Sequence, residues 1–213
     1  MATTSPLDGR GQRLDHDEIV RRAAGLVPLV REHAAQGERE RRVPDTVMRA
    51  VEQADLLRSM MPSRYGGHGL GLRTVCELSR VLAHGCPSTA WVVGFLVEHN
   101  WQLARFPRAV QDELFGAGSA IRAPAQLHLS GVLEPCAGGY RARGRWEFCS
   151  GAWHSDWAIL AALAPADQPG DERPVPHVFV VPMSELVMHD VWHTSGMRAT
   201  GSIALQADDV FVP

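Results

Sequence analysis

The richest run of chemically able side chains in this 213-residue sequence is Gly144-Arg-Trp-Glu-Phe-Cys-Ser-Gly-Ala-Trp-His-Ser-Asp-Trp157. Trp146, Phe148, Trp153 and Trp157 flank a Ser150-Gly151 turn and can form a flat apolar wall with hydroxyl and backbone groups at its rim. A planar cofactor needs that surface, a face to stack on and hydrogen bonds for its edge. The same residues serve equally as a strand and turn with an aromatic core, since aromatics are common in strands.

His99, in Val97-Glu-His-Asn-Trp101, sits in an otherwise apolar stretch where burial can tune an imidazole for general-base work. A structural role suits a lone helical histidine as well, and Glu98 and Asn100 are its polar neighbours in sequence. In Trp192-His-Thr-Ser-Gly-Met-Arg-Ala-Thr-Gly-Ser202, Gly196 and Gly201 permit close backbone approach, while Arg198, Thr200 and Ser202 can contact an anion or a ring edge. The bland alternative is a polar turn between strands, with His189 and His193 on their surface. Tyr65-Gly-Gly-His-Gly-Leu-Gly71 has neither the lysine nor the preceding strand of a phosphate loop. There is no H-E-x-x-H, G-x-S-x-G or clustered carboxylate pair, so zinc hydrolase, serine hydrolase and glycosidase chemistry find no support.

These residues need elements to hold them. From Asp15 to about Phe115 the apolar spacing is helical. Asp15 or Asp17 caps a first helix that Pro28 should kink or break, and Pro44-Asp45 starts a second. The third spans Leu72 to Ala83, Ser88 or Thr89 opens a long apolar fourth ended by Phe106-Pro107, and Arg108 to Phe115 forms a short fifth. Beyond Gly116 the pattern turns to short β segments: Gly139–Phe148, Asp156–Leu163, His177–Pro182, Glu185–Trp192 and Ser202–Val212. Pro165 to Pro174 reads as a hairpin loop. Helices followed by strands indicate an α+β chain: a flexible N-terminus (1–14), a helical domain (15–116) and a middle β domain (117–213) of barrel or sandwich type.

Composition bounds the function. The chain is 45% hydrophobic and 21% charged with a net charge of -3, and every basic side chain is arginine. No positive excess is available for a phosphate backbone, so nucleic acid is not an expected partner. Cys76, Cys86, Cys136 and Cys149 form no metal-like cluster and read as reduced thiols. With no secretory h-region and no bilayer-length apolar run, the expected location is cytoplasmic, without membrane association.

Arg42-Val-Pro-Asp45, Leu56-Leu-Arg-Ser-Met-Met-Pro-Ser-Arg-Tyr-Gly-Gly67, Gly85-Cys-Pro-Ser-Thr-Ala-Trp91 and His99-Asn-Trp101 occur in the order of the N-terminal helical domain of acyl-CoA dehydrogenase-like flavoproteins. Gly144-Arg-Trp-x-Phe-x-Ser-Gly151, Gly196-Met-Arg-x-Thr-Gly-Ser202 and Asp208-Asp-Val-Phe-Val-Pro213 resemble their middle β domain. Ile121-Arg-Ala-Pro-Ala-Gln-Leu-His128 lacks the T-E-P-x-x-G-S-D-like flavin segment of the dehydrogenases proper, and Ser-Thr-Ala-Trp with His-Asn-Trp is similar to the oxygenase branch. The resemblance implies a monooxygenase that takes reduced FMN or FAD from a separate flavin reductase and moves one oxygen atom of O2 to an aromatic or polyketide-like substrate.

Carried over residue by residue, it makes His99 and Ser150 catalytic. Trp146, Phe148, Ser150 and Gly151 become the flavin wall, Trp192, Thr200, Gly201 and Ser202 looser cofactor contacts, and Trp91, Phe95 and Asn100 substrate neighbours. Members of the family continue past the equivalent of Pro213 with a C-terminal helical domain that completes the pocket and the oligomer. The resemblance therefore implies a homo-oligomer whose missing part comes from more chain or a second chain. An acyl-CoA dehydrogenase-type oxidoreductase and a non-catalytic module pairing with another chain are the alternatives.

Overall fold

The structure is a computed structural model and describes residues 13–166 and 173–213. The proposed flexible N-terminus lies outside the described residues through position 12, as do positions 167–172 of the expected hairpin loop. The chain divides into two compact units. One runs to Arg122 and takes back Ser195–Thr200, and the other comprises Ala123–Thr194 and Gly201–Pro213.

The helical unit is built from α1 (His16–Glu40), α2 (Asp45–Gln53), α3 (Leu72–Ala83), α4 (Pro87–Leu103) and α5 (Arg108–Phe115). Asp15 caps α1, its carboxylate accepting from the Glu18 N–H at 2.9 Å. Pro28 does not break α1, which continues to Glu40. The proline is on the exposed side, so the one carbonyl that loses its partner can turn to water. Helix α4 opens one residue before Ser88: Cys86 is the cap residue and Pro87 takes the first turn, where a missing N–H costs nothing. Ser88 is buried, with its hydroxyl 3.3 Å from Glu38 Oε1. Ile19, Val47, Leu56, Leu78, Leu82, Val93 and Leu96 form the core of this unit.

The sheet unit contains β1 (Ala125–Cys136), β2 (Gly139–Cys149), β3 (Trp157–Ala164), β4 (Val175–Pro182), β5 (Val187–His189) and β6 (Ile203–Val212), in the order β4-β3-β1-β2-β6-β5. β1 and β3 are parallel and the other neighbours antiparallel. Ala164 pairs with Val175, which makes β3 and β4 the expected hairpin. The expected strand at Glu185–Trp192 shrinks to β5, because Met183–Glu185 is a 3-10 turn. The sequence pattern misses β1 altogether, although it is central.

β1 is irregular. Gln126 pairs with Leu160 and Gly131 with Ala162, so residues 127–130 bulge opposite the single residue Ala161. Trp146 of β2 reaches across the gap, its indole N–H donating to the Ala161 carbonyl at 2.8 Å. Two glycines make the room. A Cβ on Gly131 would meet Trp146 Cζ2 at 2.5 Å, and one on Gly144 would meet Cη2 at 2.9 Å. Trp146 shares its core with Leu133, Leu160, Phe179 and Leu205, with Phe179 edge-on at 6.0 Å.

Gly131→Ala should therefore cost about 1–3 kcal/mol through overpacking, read as a lower urea midpoint. In a Trp146→Phe background, where the overlapping ring atoms are gone, the same change should cost at least about 1 kcal/mol less. Equal costs in the two backgrounds would contradict this packing.

Candidate functional site

In a regular strand, residues 146 and 148 share a face. Here they do not. The β2–β6 register shifts between Trp146 and Cys149, and Phe148 takes a left-handed conformation, φ 64°. The Ser150 N–H bonds back to the Phe148 carbonyl at 2.9 Å, and Gly151 follows at φ 78°. The bulge inverts the alternation. Trp146 and Cys149 are fully buried, whereas Phe148 is 64% exposed.

The structure thus corrects one expected wall residue. Trp146 is a core side chain whose only polar atom is spent on β3, and it presents no face to a cofactor. Phe148 does present one, and Trp192 stands edge-on to it at 6.0 Å and 88°. Directly after the bulge, Ser150 Oγ lies 2.7 Å from the hydroxyl of Ser202, which follows Gly201 at φ 53°. Phenylalanine is costly at positive φ, by about 1–2 kcal/mol, and such strain gathers where function holds it. Burial, aided slightly by the Glu147 charge, pushes the Cys149 thiol up to about 12 against a backbone hydrogen bond from Leu205.

In the helical unit, α3 and α4 approach closely because Gly94 has no side chain; a Cβ there would meet Ser79 Oγ at 2.5 Å. Between them runs an apolar groove of about 740 Å³, lined by Leu72, Val75, Ala90, Trp91, Phe95 and Glu98 among others. Trp91 and Phe95 are exposed there and meet edge to face at 4.8 Å. His99 is buried one residue beyond the groove wall, its ring 5.4 Å from that of Phe95 and its Nε2 3.6 Å from Glu98 Oε2.

Asn100, expected near substrate, is held by backbone groups. It is fully buried, donates to the Leu96 and Ile121 carbonyls at 2.8 and 3.0 Å, and accepts from the Ile121 N–H at 2.9 Å. That amide ties α4 to the segment leaving the helical unit, with three of its four hydrogen bonds made to backbone. Thr200 is also buried, its hydroxyl donating to the Met197 carbonyl at 2.9 Å and closing its own turn. That turn is held in the helical unit by Glu38, which accepts from the Ala199 N–H at 3.4 Å.

Sequence reasoning passed over Glu98, Ser79, Gly94 and Met197 as groove residues. Trp91, Phe95, Glu98 and Gln102 do recur at three- and four-residue steps. Because α4 is apolar on nearly every side, that stripe has no contrast against its background.

Comparison with known proteins bears on the fold. Residues 15–118 match the acyl-CoA dehydrogenase N-terminal domain. Over 95% of its length the chain is 35% identical to the FADH(2)-dependent resorcinol hydroxylase oxygenase component of Rhizobium sp. (strain MTP-10005), covering 49% of it. It is 34% identical over 91% of its length to the flavin-dependent monooxygenase oxygenase subunit HsaA of Rhodococcus jostii, covering 50% of it. Among solved structures, HsaA from M. tuberculosis superposes with a TM-score of 0.88 at 32% identity, over 94% of this chain and 52% of that one. XiaF from Streptomyces sp., solved with FADH2 and glycerol, gives 0.85 at 39% identity, over 93% and 50%. The chain spans about half the length of the curated relatives it matches.

The residues present fit the edge of a flavin ring: an exposed aromatic corner for the face, and a hydroxyl pair that can donate to ring heteroatoms.

Two outcomes follow. In Phe148→Asn, relief of about 1 kcal/mol of backbone strain roughly offsets the lost aromatic pair, so stability should stay within about 1 kcal/mol while reduced-flavin affinity falls at least about fivefold. A loss of stability near 3 kcal/mol would instead mark Phe148 as a core residue. At pH 8 a thiol reagent should label the exposed Cys76 and Cys136, and reach Cys86 and Cys149 only on unfolding. Because the folded Cys149 value is raised, its neutral thiol contributes stability in full below about pH 9, lost as the pH climbs towards 12. Rapid native labelling of Cys149 would contradict this.

Proposed function

We propose that this chain is the reduced-flavin-binding and substrate-facing part of an oxygenase component, a flavin-dependent monooxygenase that hydroxylates an aromatic or polyketide-like substrate. The observation that carries the reading is the pairing, at one end of β2, of the Phe148–Trp192 corner with the Ser150–Ser202 hydroxyls. It is supported by relatives named as oxygenase components and subunits, a wording that implies a separate reductase, and by the FADH2 bound in XiaF.

Reduced FMN or FAD, when bound, supplies the oxygen-activating chemistry. The residues of this chain do the rest. Phe148 and Trp192 give the ring an apolar face, and the hydroxyls of Ser150 and Ser202 hold its edge. Trp91 and Phe95 hold the aromatic substrate away from water, which strengthens every polar interaction made beside it. His99 accepts the proton from the phenolic oxygen, raising electron density at the ring carbon to be hydroxylated. Chain of the kind that makes up the other half of the relatives, in a homo-oligomeric assembly, closes the remaining sides and supplies the phosphate contacts.

The test is anaerobic titration with reduced FMN and reduced FAD, followed by air and a phenol, with product and H2O2 measured. Ser150→Ala should weaken flavin binding about tenfold. His99→Ala should leave binding within about twofold and cut the ratio of product to H2O2 by about 10²-fold. Parent-like coupling in His99→Ala would remove the histidine from the chemistry.

A further inference from the structure

The groove between α3 and α4 carries an unbalanced charge. Its walls are apolar apart from Ser79, Arg80 and Glu98. Arg80 is already matched, its guanidinium forked onto Glu77 with contacts of 2.7 and 3.1 Å. Glu98 is differently placed. The Gln102 amide, one turn further along α4, donates to both of its carboxylate oxygens at 2.9 and 3.2 Å, which fixes the group without neutralising it. Its one ion-pair contact among the described residues is His99 Nε2, at 3.6 Å. The Glu98 side chain is 22% exposed and lines the groove with Trp91 and Phe95.

A carboxylate held rigid beside apolar walls acts through a lower effective dielectric than one in open water. Discrimination then has both of its components, attraction for a cation and rejection of an anion. Such a group usually selects for a proton-bearing partner, and aromatic walls beside it add stacking and cation–π attraction for the same ligand.

We infer that the groove recognises an aromatic molecule bearing a protonated amine, that Glu98 is the counter-ion for that amine, and that carboxylated phenols are excluded. The inference rests on the hydroxylase reading for the aromatic ring and adds to it the charge of the substituent. Glu98 is then a specificity residue that touches the ligand, and Gln102 is the positioning residue that holds it.

Three phenols with the same two-carbon linker end in a cation, a neutral methyl and an anion: tyramine, 4-propylphenol and 3-(4-hydroxyphenyl)propionate. Calorimetric titration of the whole chain with each, without flavin, should rank tyramine first, at least about tenfold tighter than the propionate. Glu98→Gln, which keeps the size of the side chain and its contact with Gln102, should bring the two within about threefold by weakening tyramine. Gln102→Leu should weaken tyramine and leave 4-propylphenol unchanged. Equal affinities in the parent, or an undiminished tenfold preference for tyramine in Glu98→Gln, would overturn the charge assignment and leave the aromatic groove standing. No binding of any of the three would overturn it together with the reading of this groove as the substrate site.

Discussion

The sheet unit is organised around one hydrogen bond, the indole N–H of Trp146 on the carbonyl of Ala161. These residues sit on β2 and β3, which are not neighbours; β1 lies between them. The bond is needed because β1 leaves its register with β3 at residues 127–130 and opens the ladder opposite Ala161. A buried carbonyl without a partner costs about 1–3 kcal/mol, and the indole answers it from the next strand. The geometry works only because Gly131 and Gly144 leave the six-membered ring somewhere to lie. Bulge, glycines and tryptophan form one device.

What β2 presents to solvent follows from that anchor. With Trp146 committed inward, a second register shift flips the strand before it ends, buries Cys149, and puts Phe148 outside at positive φ. The exposed aromatic corner and the hydroxyl pair are thus held by backbone geometry more than by side-chain packing. The helical unit reaches a comparable result by other means. Gly94 lets α3 and α4 close up, and the aromatic stripe of α4 is left facing the groove.

Much of this was legible beforehand, for reasons that are physical. The Asp15 cap, the Pro44 start and the strong helical spacing of α2 and α3 are local signals, and local signals survive tertiary context. β1 was missed although Leu127 and Leu129 alternate with Gln126, His128 and Ser130 in sequence; its bulge leaves all of 127–130 exposed, so that alternation marks no buried face. The bulge in β2 likewise defeated the assumption that Trp146 and Phe148 share a face. Asn100 looked like a site residue because it follows His99. Its amide instead satisfies the backbone of Ile121, a partner distant in sequence that no motif marks. The return of Ser195–Thr200 to the helical unit depends on Glu38 in the same way.

The central claim is that the end of β2 is a flavin-edge site made by its bulge. Hydrogen–deuterium exchange with and without saturating reduced FMN, kept anaerobic and with occupancy measured in parallel, tests it most directly. The account predicts slowed exchange across 148–151 and 191–194 and unchanged exchange at 131–135, where the Trp146 anchor is buried in either state. Saturated binding with no protection at 148–151 would contradict it.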